Sequence, residues 1–287
     1  MIRGAFSSGP HETSAGLEVL KAAVVLSREG AVDYARASED LDPRYFQEGE
    51  VFVNPLYASA LLRDVLEHPI VHPKVGINLL KMVHAEQTFR FVKPLRVGME
   101  LESWSRIAGF RRISTGILMD IDVALREGGG ETVVEGTSVM FSRVKSGKGG
   151  SDGAHRKPQE ESVPAWEEIG RFAVNPDQPG RYALASGDYN PIHRVGWVAR
   201  LSGFKGPVAH GLCVMSMAAG RLIQCFAEGN SERLLEISLR FARPAYPGDE
   251  LILKAAEGVE GIQFVLQDAL GRDVLKNGVV KFRPSVR

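Results

Sequence analysis

Residues 182–212 read YALASGDYNPIHRVGWVARLSGFKGPVAHGL, and within them Ser186-Gly187-Asp188-Tyr189-Asn190-Pro191-Ile192-His193 packs reactive side chains unusually densely. A carboxylate accepts hydrogen bonds and an imidazole both donates and accepts near neutral pH, so Asp188 and His193 can hold and polarise one water between them. Pro191 fixes its own φ and disfavours helix at Asn190, which predicts an irregular segment from which both side chains converge. Asn190 can bond the local backbone or the same water, and Gly187 suits a tight turn. Further on, His210-Gly211 stands at the edge of an apolar run, Val208 to Ala227. If a helix starts there, the Gly211 N–H has no partner within it and lies at its positive end, where negative charge developing on an oxygen is stabilised. Taken alone, Asp-x-Asn-Pro is also a common turn and N-cap composition. Ser186 has no Gly-x-Ser-x-Gly around it and reads as a cap or turn rather than a nucleophile. His210 reads as a hydrogen-bonded structural histidine.

Outward from this stretch, the chain repeats itself. Arg90-Phe91-Val-Lys-Pro94-Leu-Arg-Val-Gly98-Met-Glu100-Leu101 returns 150 positions later as Arg240-Phe241-Ala-Arg-Pro244-Ala-Tyr-Pro-Gly248-Asp-Glu250-Leu251. Tyr34-Ala-Arg-Ala-Ser38-Glu-Asp40-Leu-Asp-Pro43 likewise precedes Tyr182-Ala-Leu-Ala-Ser186-Gly-Asp188-Tyr-Asn-Pro191 by 148 positions. Two independent matches at nearly one offset imply duplication of a whole domain, a period far above that of solenoids. In the first copy Tyr45 stands where the second has His193, and a phenol titrating near ~10 is a poor substitute for imidazole. One active site per chain is therefore expected.

Lys145 to Pro164, KSGKGGSDGAHRKPQEESVP, is dense in Gly, Ser, Pro and charge and cannot bury enough apolar surface to order itself. It divides the chain into residues 1–144, a linker at 145–164, and residues 165–287. In each half an apolar helix is followed by strand patterns: Glu86 to Val92, Glu100 to Ile107, Gly116 to Leu125 and Thr132 to Ser142 in the first, Leu234 to Ala242, Glu250 to Ala256, Ile262 to Gln267 and Val274 to Phe282 in the second. A helix and an antiparallel meander, twice, read as α+β.

The chain has 287 residues, with 35 basic and 35 acidic side chains, so nothing global draws it to nucleic acid or an anionic membrane. Val208 to Ala227 is broken by His210, Arg221 and Gln224 and reads as a buried helix rather than a membrane span. Cys213 and Cys225 lie within that apolar segment and read as reduced core thiols, hence a reducing, cytoplasmic compartment. A zinc site from Asp188, His193 and His210 lacks close helical ligand spacing and a clear fourth ligand, so no metal is expected.

Ser186-Gly187-Asp188-Tyr-Asn190-Pro191-Ile-His193, then Leu201-Ser-Gly-Phe204 and His210-Gly211-Leu-Cys213, resembles the MaoC-like, or hydratase 2, family of (R)-specific enoyl-CoA hydratases. Asn78-Leu-Leu-Lys-Met-Val-His84-Ala-Glu86-Gln87 and Lys93-Pro94-Leu resemble the degenerate first half of its two-domain members. The resemblance implies a double hot-dog, each half a central buried helix wrapped by an antiparallel sheet, with 1–144 degenerate and 165–287 catalytic. It implies reversible hydration of a trans-2-enoyl-CoA to the (R)-3-hydroxyacyl-CoA, with Asp188 and His193 catalytic and Asn190, Gly211 and Glu86 in support. The partners implied are an acyl-CoA or acyl carrier protein thioester and a second copy in a homodimer, with no cofactor. Two departures stand out: Arg194-Val195-Gly196-Trp197 replaces the polar residue, Asp and Pro that often follow the histidine, and Ala85 replaces a common glycine. Dehydration on acyl carrier protein, thioester hydrolysis and non-catalytic thioester binding are the alternatives. The apolar residues between Leu56 and Val83 are expected to line a tunnel for the acyl chain.

Overall fold

The computed structural model describes residues 14–49, 51–75, 82–143 and 164–285. The linker, apart from Pro164, and Asn78 to Lys81 lie outside the described residues. Strand formation follows the period-two pattern. In Gly116–Glu127, Ile117, Met119, Ile121 and Val123 are buried while Asp120 and Asp122 alternate with them. The strands are β1 Glu18–Val25, β2 Met82–Phe91, β3 Glu100–Ile113, β4 Gly116–Glu127, β5 Thr132–Arg143, β6 Glu167–Ala173, β7 Leu234–Phe241, β8 Glu250–Gly258, β9 Gly261–Asp268 and β10 Asp273–Phe282. They form one antiparallel sheet in the order β1-β3-β4-β5-β2-β7-β10-β9-β8-β6.

This order is the same five-strand pattern read outward from the centre in both directions. At the centre each copy of the duplicated strand pairs with the other, Glu86 opposite Arg240, Thr88 opposite Ser238 and Arg90 opposite Glu236. Thr88 and Ser238 are separated by the repeat offset itself, so a local two-fold passes between them. Arg283 ties the joint down. Its guanidinium donates to the carbonyls of Glu232 and Leu234 on one half and Phe91 and Val92 on the other.

The helices are α1 Arg28–Ala37, α2 Ala58–Leu61, α3 Arg63–Val71, α4 Gln178–Ser186, α5 Gly196–Leu201 and α6 Gly211–Phe226. Every residue of α6 from Cys213 to Gly220 is buried, as expected of a helix wrapped by a sheet. Among the described residues the first half has no such single helix. Its counterpart is broken into α2 and α3, with Pro69 inside the last turn. Two strands were not legible in sequence, β1 and β6, which form the two edges of the sheet. Edge strands bury little: Leu20, Val24 and Val25 of β1 are exposed, and its register slips between Lys21 and Val24. Cys213 is buried, but Cys225 is exposed, which corrects its reading as a core thiol; its thiol lies 3.9 Å from the Ile169 carbonyl of the edge strand β6.

Candidate active site

The site is built where α4 ends. Gly187 closes that helix in a left-handed conformation, φ 74°, and a Cβ there would also meet the Arg63 side chain at 2.9 Å. Ser186 Oγ donates to the Tyr182 carbonyl and accepts from the Asp188 N–H, so it turns the chain, as its sequence context predicts. Asp188 Oδ1 accepts the Asn190 N–H at 3.0 Å, and Asn190 Oδ1 caps the Ile192 N–H of a 3-10 turn, Pro191–His193. Asn190 is exposed and acts as a local cap that shapes the loop.

This loop brings Asp188 and His193 together. The His193 ring is buried, and its Nδ1–H donates to the Val208 carbonyl at 2.8 Å. A carbonyl only accepts, so the proton sits on Nδ1 and Nε2 keeps its lone pair. Burial lowers the His193 pKa, opposed by the charge of Asp188, which keeps the imidazole neutral and basic at neutral pH. The Asp188 side chain is 40% exposed and so reaches solvent beside it. Beside His193 a cleft of about 680 Å³ opens, lined by Pro179, Arg194, Lys205, Pro207 and Tyr246 among others.

His210, N-cap of α6, enters this site although its sequence context alone points to a structural role. Its ring stacks on His193 with centroids 3.6 Å apart and planes at 24°. Its Nε2–H donates to the Asp188 carbonyl at 3.1 Å. Gly211 follows as the first residue of α6, so its N–H has no partner within the helix. A Cβ on Gly211 would lie 2.9 Å from the Phe241 ring, so only glycine fits against that wall. Phe241 is in turn backed by His84, centroids 4.9 Å apart. A bulge between His84 and Glu86 breaks the alternation of β2 and turns His84 toward the interior. Desolvation pushes His84 down to about 4, opposed by the Asp188 charge among others. The place of His84 is not legible in the sequence, because a bulge is invisible to a period-two pattern.

Glu86 is not brought to this cluster, contrary to the role implied by the resemblance. Ala85, Gln87 and Phe89 are the inward residues of β2, and Glu86 points outward, 4.0 Å from Arg240. The large cleft is lined by residues of the second half, and of the Leu56 to Val83 segment expected to line an acyl tunnel, residues 76–81 lie outside the described residues. Leu56, Leu62 and Val65 are packed into the core instead.

Asp188, His193 and His210 each offer a ligand atom within 4.8 Å of the others. Each imidazole has one nitrogen engaged with a backbone carbonyl, and the remaining nitrogen of His210, Nδ1, is fully buried, which leaves only Asp188 and His193 Nε2 open to a ligand. That arrangement suits proton transfer better than tetrahedral coordination.

Fold and site together define a double hot-dog protein in which, among the described residues, the second half carries a carboxylate–imidazole cluster. Residues 159–265 match the family described as MaoC like domain, and residues 14–135 match that described as FAS1-like, dehydratase domain region. It is 25% identical to probable enoyl-CoA hydratase 2 of Dictyostelium discoideum, over 80% of this chain and 79% of that protein. It is 32% identical to the peroxisomal multifunctional enzyme type 2 of Mus musculus over 62% of this chain, spanning only 24% of that longer protein. The crystal structure of a MaoC-like dehydratase from Phytophthora capsici superposes with a TM-score of 0.79 at 25% identity, covering 96% of this chain and 97% of that one.

Proposed function

We propose that the protein is a hydro-lyase that reversibly hydrates a trans-2-enoyl-CoA to the (R)-3-hydroxyacyl-CoA. The observation that carries this reading is the fixed tautomer of His193, Nδ1–H to Val208 and Nε2 free, beside the solvent-reaching Asp188. A water held by both groups loses a proton to Nε2 as its oxygen bonds to C3. Electron density moves from the C2–C3 double bond onto the thioester oxygen, where the Gly211 N–H and the positive end of α6 stabilise it. The proton on His193 is then delivered to C2, and both groups return to their starting states. No step calls for a metal or an organic cofactor, so a chelator should leave turnover unchanged; reversible loss restored by one divalent ion would overturn this.

Purified protein incubated with crotonyl-CoA tests the reading, with hydrated and hydrolysed products separated. Accumulation of free CoA without 3-hydroxybutyryl-CoA would replace it with thioester hydrolysis. The same acyl group on acyl carrier protein, run alongside, decides the carrier; the relatives' names support CoA. The homodimer rests on the resemblance and is checked by sedimentation. Among the described residues no helix is long and apolar enough to cross a membrane. A cytoplasmic site of action rests on the two free thiols, and fractionation against peroxisomes decides it.

A further inference from the structure

The geometry points to His210 as a positioning residue that registers the general acid/base pair against the oxyanion donor, an inference that rests on the hydratase reading. Three parts of the machinery come from separate segments: Asp188 from the loop after α4, His193 from the following 3-10 turn, and the Gly211 N–H from the start of α6. His210 touches all three. Its Nε2–H holds the Asp188 carbonyl at 3.1 Å, its face lies 3.6 Å from the His193 ring, and Gly211 is its covalent neighbour.

His210 does not itself reach substrate. It is 2% exposed, and its Nδ1 is buried with no hydrogen-bond partner among the described residues. A proton added there would be a buried donor without an acceptor, so the ring stays neutral. The groups facing it are Asp188 from the loop, His193 from the turn, and Tyr182 from α4, its ring 4.9 Å away. Burial and the neighbouring His193 lower the pKa of His210, against the charge of Asp188. Tyr182 is itself locked in a buried triangle of hydroxyls with Tyr34 and Ser59, edges 2.9 to 3.3 Å, so the wall behind His210 is rigid. A displacement near 1 Å at a reacting group costs up to about 10²-fold in rate. His210 is the side chain that spans that distance between the three segments.

The test uses the full chain and two readouts, one independent of turnover. His210→Phe keeps a flat ring but removes the donor to Asp188, and His210→Gln restores a donor near the Nε2 position. For crotonyl-CoA, His210→Phe is expected to lower kcat by about 10- to 100-fold with KM changed less than about threefold, and His210→Gln to regain about tenfold. Histidine-selective nitrogen NMR should show the His193 Nδ1–H tautomer weakened in His210→Phe but less so in His210→Gln. Wild-type kcat in His210→Phe, equal loss in both variants, or an unaltered His193 tautomer signal would each overturn the proposal. Should His210→Phe not fold, His210→Asn, whose shorter amide cannot reach the Asp188 carbonyl in the same way, takes its place with the same expectations. If the wild-type protein does not hydrate crotonyl-CoA, the functional reading fails by itself, and the NMR comparison alone decides whether His210 positions His193.

Discussion

The loops around Asp188 and Asp40 are two copies of one backbone with opposite fates. Asn190 and Asp42 occupy the same position before a proline-led 3-10 turn, with φ −54°, ψ 122° and φ −56°, ψ 122°. His193 ends one turn and Tyr45 the other. The decisive difference lies in what surrounds the carboxylates. Asp188 reaches solvent, whereas Asp40 is buried, accepts from the Asn54 amide at 2.8 Å and is pressed against Gly220 of α6, where a Cβ would lie 2.8 Å from its carboxyl carbon. Asp42 is tied to Arg44 and, at 2.7 Å, to Gln224 of the second half. The first copy has its carboxylates filled by protein side-chain donors; in the second, Asp188 gives Oδ1 to a backbone N–H and its side chain still reaches solvent. Duplication preserved the backbone, and side-chain satisfaction decided which copy can do chemistry.

The most direct way to break this comparison is to mutate both loops. Asp188→Asn and His193→Ala should each lower hydration by at least ~100-fold with circular dichroism unchanged, as expected for general acid/base groups. Tyr45→Phe should leave turnover near wild type, and equal losses in the two loops, read by steady-state kinetics, would erase the distinction.

Two glycines of α6 sharpen it. Alanine normally gains about 0.5–1 kcal/mol over glycine in a helix. Gly211→Ala instead drives a methyl into Phe241 and should lower kcat by about 10- to 100-fold by shifting the oxyanion donor. Gly220→Ala drives one into Asp40 and should cost about 1–3 kcal/mol of stability with kcat preserved. Denaturant titration and kinetics on both variants separate these outcomes.

A pH series distinguishes the carboxylates by stability. Burial, reinforced by the charge of Asp42, pushes Asp40 up to about 6, above its value of 3.8 in the unfolded chain. The folded state therefore holds this proton more tightly, so its contribution to stability is full below pH 3.8 and is lost as pH rises through about 6. Linkage puts the loss on the order of 3 kcal/mol, and Asp40→Asn should flatten that part of the stability–pH curve. An unchanged slope in the variant would show that Asp40 is not the group responsible.

The smallest effect belongs to the phenol. Tyr45 is buried next to Asp40, so Tyr45→Phe should cost about 0.5–1.5 kcal/mol in denaturant unfolding. A larger cost accompanied by lost turnover would mean that the first loop supports the site through α6.

Legibility followed periodicity and local chemistry. The eight strands with clear alternation were readable, and so were the domain repeat and the Asp188–His193 motif, because both depend on residues close in sequence. β1 and β6 were not, since edge strands need not bury one face. The split of the first-half helix at Leu62 was hidden within an apolar run. Glu86 was misplaced because the resemblance speaks to position along the chain, whereas the bulge beside it decides which side chain faces inward.

The amino-acid sequence by itself determined the duplication, the α+β architecture, the asymmetry between His193 and Tyr45, and the pair of groups able to polarise water. Only tertiary structure decided that His210 stacks on His193, that Phe241 demands glycine at position 211, and that Asp40 is buried while Asp188 is open. The physical reason is that proton affinity and hydrogen-bond capacity belong to a side chain, whereas desolvation and packing belong to its neighbours. Here those neighbours come from segments far apart in the chain, joined across α6 and the β2–β7 seam.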